Sequence, residues 1–158
     1  MLKRLVLVAV ALAFAAPVHA AEPAPMVVVK TKAKFEDVKD DLVNAVTKRG
    51  LVVDYTAHIG AMLDRTAKDV GAAKKVYARA EAIQFCSAVL SRRMMEADAA
   101  NIVFCPYVIA IYTLASDPGT VHVAYRRPQP AGSPQSQAAL KAIDDLLSGI
   151  VKEGVKQP

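Results

Sequence analysis

The chain predicts an α+β fold, an antiparallel sheet with helices packed on one face. Three observations lead there. Short β-branched runs alternate with segments whose apolar residues recur at helical spacing, in the order strand, helix, strand, short helix, strand, helix, strand, strand, helix. Two of the runs are joined through Ser116, Asp117, Pro118 and Gly119, the residue types of a tight turn, so that pair is antiparallel. Three of the helical segments carry a single apolar stripe, and one sheet face covers all three economically.

Met26 to Lys32 (MVVVKTK) reads as the first strand. In the helix that follows, Phe35, Val38, Leu42 and Val46 share a face, Glu36 and Asp37 suit its first turn, Lys48 and Arg49 its last, and Gly50 ends it. Leu51 to Ile59 is the second strand. The stretch from Gly60 to Lys75 is helical in composition but interrupted by Gly71, which predicts one short helix and a loop. Val76 to Cys86 is the third strand. Ser87 to Asp98 is a helix with Val89, Leu90, Met94 and Ala97 inward and Arg92, Arg93 and Glu96 outward. Asn101 to Ala115 and Thr120 to Arg127 form the hairpin. A linker, PQPAGSP, leads to the last helix, with Ser133 as N-cap, Pro134 at its first position, and Leu140, Ile143, Leu147 and Ile150 as its buried stripe.

Residues 1–20 have the form of a cleaved export signal. Lys3 and Arg4 precede an apolar run from Leu5 to Ala16, Pro17 breaks it, and Val18 and Ala20 occupy the small-residue positions before a cut. A run of twelve falls short of the roughly 20 residues that span a bilayer. After it come a spacer, residues 21–25, and a single domain, residues 26–155. The pattern points to a bacterial periplasmic or secreted protein with no stable membrane span after cleavage. Removing Lys3 and Arg4 from the 20 basic residues leaves 18 against 15 acidic ones, a net charge of +3. That balance argues against a nucleic-acid partner, whose basic face dominates the charge count.

Cys86 and Cys105 are the two cysteines. Their spacing fits neither a CxxC redox motif nor half a zinc ribbon, and no CxxCH is present for covalent haem. Cys86 is placed at the start of a helix, where free backbone N–H groups favour a thiolate. Cys105 is followed by Pro106, which lacks an N–H and marks an edge, a bulge or the first residue of regular pairing. Four readings stay open: buried structural thiols, a disulfide between them, a functional thiol, or metal or haem ligation through Cys105, with Phe104, Tyr107 and Met94/Met95 lining an apolar pocket. His58 and His122 read as exposed or satisfied strand residues. The pairs Asp40/Asp41 and Asp144/Asp145 read as solvated helix faces, and Tyr125 to Pro128 as an anion contact or a charged edge.

The turn KRGLVV (Lys48–Val53), a cysteine ending a strand before a helix, a second cysteine ahead of an apolar run, and VHVAYRRP (Val121–Pro128) together resemble the DUF302 family of small bacterial domains. The resemblance runs from Met26 to Pro128. It implies a fold like the TATA-box-binding protein, a homodimer, and an association with sulfur-compound metabolism, without a settled activity. The expected function is an exported small-ligand or cofactor-binding accessory protein with no classical enzymatic activity, its binding site formed by Cys86, Cys105, Arg92, Tyr107 and His122. Two alternatives stand beside it: a thiol-based sulfur carrier or redox protein using Cys86 and Cys105, and a structural partner protein stabilised by their disulfide.

Overall fold

The computed structural model describes residues 24–156; the expected export signal lies outside them. Five strands, β1 (Met26–Thr31), β2 (Val53–Ala57), β3 (Tyr77–Phe85), β4 (Tyr107–Leu114) and β5 (Asp117–Arg126), form one antiparallel sheet in the order β1-β5-β4-β3-β2. Four helices, α1 (Phe35–Thr47), α2 (Ile59–Thr66), α3 (Ala88–Ala97) and α4 (Pro134–Gly154), and a 3-10 helix over Ala99–Phe104 complete it. The α+β class and the antiparallel sheet are as the sequence predicts.

Strand alternation decides which face is buried. Ile83 and Phe85, then Tyr107, Ile109 and Ile111, then Val121, Val123 and Tyr125 point to one side and form the core with α1, α3 and α4. From α1 come Phe35, Val38, Leu42, Ala45 and Val46; from α4 come Leu140, Ile143, Leu147, Ile150 and Val151. Complete burial of a Leu or Ile side chain contributes about 1.5–3 kcal/mol, so these two stripes hold both helices to the sheet. Gly154 marks their closest approach: a Cβ there would collide with the Leu42 side chain. The helix α2 contributes no buried residue and lies against β3 at the sheet's edge, beyond the end of β2.

Among the described residues, the opposite sheet face carries no helix. Its floor is Ala80, Ala82, Ala110 and Ala124, and Val28, Tyr55 and Val108 stand exposed around it.

Several boundaries depart from the sequence reading, each for a local reason. Asn101–Phe104 is 3-10 helix rather than strand: the Asp98 side chain accepts from the Ala100 N–H, and the Asn101 amide donates to the Met94 carbonyl and to Ser136. The hairpin turns at Ala115–Ser116, and Asp117 already pairs with Leu114, with an irregularity taking up residues up to Thr120. Ile59 starts α2 instead of ending β2. Val89, expected inward on α3, is exposed, and Ser91 takes the inward position because a buried hydroxyl partner awaits it. Finally, β5 lies between β1 and β4, so Tyr125–Arg126 is not at an edge.

Candidate functional site around the Cys86–Cys105 bond

Cys86 and Cys105 are joined in a disulfide, their Cα atoms 6.5 Å apart. Strand register brings the two together. Phe85 is the last paired residue of β3 and Tyr107 the first of β4, so Cys86 leaves one strand where Cys105 approaches the other. Pro106 stands immediately before the first paired residue of the central strand, where its missing N–H interrupts no ladder. The Cys105–Pro106 peptide is cis. Ser87, next to Cys86, caps α3 by accepting from the Leu90 N–H.

On its inner side the bond meets hydroxyl groups. The Ser91 Oγ lies 3.7 Å from the Cys105 Sγ and 2.9 Å from the Tyr107 hydroxyl. With Tyr107 donating to Ser91, the Ser91 proton is free to point at the sulfur. Burial raises the Tyr107 pKa, an effect the Ser91 hydrogen bond partly offsets. Three apolar residues within three positions of one or other cysteine along the chain are exposed, Val89 at 68%, Ile102 at 59% and Val103 at 71%. Both cysteines are themselves half-buried.

The other expected site residues separate. Tyr107 belongs to the cluster, packed edge-to-face on Phe85. Arg92 points into solvent and pairs with Glu96, 3.6 Å away on the next turn. With Val89 and Arg93 it lines a shallow depression on the outside of α3. His122 does not join them: it pairs with Tyr112 across the strands, on the helix-free face opposite Tyr107. There it is buried and stacked on Tyr112 at 4.8 Å, and its Nδ1 has no partner among the described residues. His58 sits at the N-cap of α2. Asp144, expected to be a solvated carboxylate, instead accepts from the Tyr125 hydroxyl at 3.0 Å and pairs with Arg127, which leaves that arginine committed. Asp145 does face solvent and pairs with Lys141. Ser91 is not among the expected site residues, because no His/Asp framework accompanies it in the sequence, and its one signal is a serine on the inward stripe of a helix.

Among the described residues, no helix is long and apolar enough to cross a membrane. What a half-buried disulfide beside a hydroxyl group can do chemically is exchange with thiols.

A five-stranded antiparallel sheet with helices on one face, its third and fourth strands followed and preceded by bonded cysteines, defines a small α+β domain. The chain matches the model of DUF302, a domain of unknown function, over residues 27–154, and it belongs to that family. The match extends past Pro128 to take in α4. A crystal structure described as an uncharacterized conserved protein DUF302 from Bacillus stearothermophilus is similar, with a TM-score of 0.69 at 12% identity, covering 83% of this chain and 98% of that one. At that identity the likeness carries the fold alone. No curated protein matches this chain.

Proposed function

We propose that the protein is an exported thiol–disulfide exchange protein whose Cys86–Cys105 pair cycles between disulfide and dithiol against a dithiol-bearing partner. One observation carries the reading: the Cys86–Cys105 bond is half-buried and has the Ser91 hydroxyl 3.7 Å from its Cys105 sulfur. A partner thiolate attacks Cys86 Sγ, the S–S bond breaks, and Cys105 leaves as a thiolate that accepts a hydrogen bond from Ser91. The partner's second thiol then displaces Cys86 from the mixed disulfide. The partner is left oxidised to a disulfide, Cys86 and Cys105 are reduced, and the two protons released by the partner end on their sulfurs. Ligation of a metal or haem through Cys105 requires that sulfur to be free, which the oxidised form does not offer. The leader-like residues 1–20 support an oxidising compartment, where such a pair forms.

The test is equilibration of the mature protein with glutathione buffers. Structural disulfides of secreted proteins hold below about −300 mV, whereas thiol oxidoreductases lie between about −270 and −120 mV. A value in the second range is expected, falling in Ser91→Ala because the thiolate loses its donor. A potential below the structural limit makes the bond a staple and overturns the proposal.

The proposal extends to the homodimer that the family resemblance implies, formed through the helix-free sheet face. The alanine floor and the exposed Val28, Tyr55 and Val108 support it, since a sheet face without a covering layer invites a second one.

A further inference from the structure

We propose that the recess between α2 and the loop that follows it is a binding site for a small amphipathic anion, an apolar chain ending in a carboxylate, sulfonate or phosphate. The recess lies beside the first residues of β3, and the disulfide lies at the last. The strand's nine residues put the two about 26 Å apart at ~3.3 Å per residue, so this site is independent of the thiol chemistry.

Its volume is about 340 Å³. That is the small end of the ~300–1,000 Å³ range of ligand cavities, which suits a small molecule rather than a protein segment. The walls are apolar, with Leu63 and Ala67 on one side, Val70 on the loop, and Val76 and Tyr77 at the entry to β3. Val70 is 73% exposed and Val76 48%, so the cavity's own lining leaves apolar surface uncovered.

The recess is built, not a gap between loose segments. Gly60 lets α2 sit directly on β3: a Cβ there would stand 3.0 Å from the Ala80 backbone nitrogen. The loop is folded on itself by hydrogen bonds from the Val70 N–H to the Thr66 carbonyl, the Gly71 N–H to Lys68, and the Ala72 N–H to Ala67. Tyr77 is held edge-on against Tyr112, ring centroids 5.4 Å apart.

Charge supplies the head-group chemistry. Asp64, Lys74 and Lys75 are the charged residues lining the recess. The Lys75 Nζ is 3.0 Å from the Asp64 carboxylate, so that pair is internally neutralised. Lys74 lines the same recess, is exposed, and has no ion-pair partner among the described residues. An apolar cavity with one uncompensated ammonium fits a molecule with an apolar body and one negative end.

Titration of the isotope-labelled mature protein with decanoate, and separately with the neutral decanol, tests this by amide NMR shifts. Decanoate is expected to give saturable shifts at Leu63, Val70 and Val76 and to bind at least tenfold tighter than decanol. Lys74→Glu should weaken decanoate about tenfold and leave decanol unchanged. Val70→Asp, at an exposed position that folding does not depend on, should weaken both. Failure of decanoate at millimolar concentration to shift these amides overturns the site. Equal affinity for decanoate and decanol, or indifference to Lys74→Glu, overturns the anionic head group.

Discussion

Tyr107, Tyr112 and Tyr125 hold their phenolic protons more tightly in the folded chain than in water, in each case chiefly because burial disfavours the phenolate. For Tyr125 the Asp144 carboxylate adds to the effect. A raised folded pKa means that the native state binds more protons than the unfolded state above the ordinary value of 10.0. The stabilisation is therefore complete below pH 10 and is lost as the pH rises through the folded values. The urea midpoint is expected to fall as the pH is raised from 9.5 to 11, and Tyr107→Phe should make that fall shallower. An unchanged slope in the variant would show that Tyr107 does not titrate with unfolding. Residue identity alone announces none of this. Tyr107 meets Ser91 sixteen positions away in sequence, and the sequence shows only a tyrosine opening an apolar run.

Among the elements, those governed by local rules were legible and those governed by side-chain contacts from elsewhere were not. For α4, Ser133 accepts from the Ser136 N–H, Pro134 is at the first turn, and the four predicted stripe residues are buried. The 3-10 helix was not legible, because its apolar residues Ile102, Val103 and Phe104 satisfy a strand pattern equally well. Asn101 decides the matter by donating to Met94 at 2.9 Å and to Ser136 at 2.8 Å, which ties the end of α3 to α4. Asn101→Ala removes both donors and leaves the Met94 carbonyl and Ser136 without them. The expected loss is about 2 kcal/mol of unfolding free energy, read from a urea midpoint. A change below ~0.5 kcal/mol would mean that water replaces the amide.

At the scale of the whole molecule, the helices leave one sheet face bare, and the homodimer proposed for it makes a direct prediction. Sedimentation equilibrium of the mature protein should give twice the chain mass. The double variant Val28→Lys/Val108→Glu should give the single mass with an unchanged far-UV spectrum, since both positions are exposed in the single chain. A wild-type protein of single mass at high micromolar concentration removes the dimer without touching the disulfide chemistry. The same bare face explains why His122 was misplaced. The β4–β5 register pairs His122 with Tyr112 on one face, and which face the helices cover depends on all three amphipathic stripes together.

By itself the sequence determined the α+β class, the element order, the amphipathic stripes, the family and the narrowing of attention to two cysteines. The class, the order and the stripes follow from periodicity, capping and turn chemistry, which act over a few residues, and the family from the resemblance carried by KRGLVV, the two cysteines and VHVAYRRP. Only the tertiary structure decided that Cys86 and Cys105 bond, that Ser91 stands beside them, and that His122 lies across the sheet. Only it revealed that α2 and its loop enclose a recess. Those facts rest on strand register and on which face each helix covers, and both are set by packing between residues far apart in the chain.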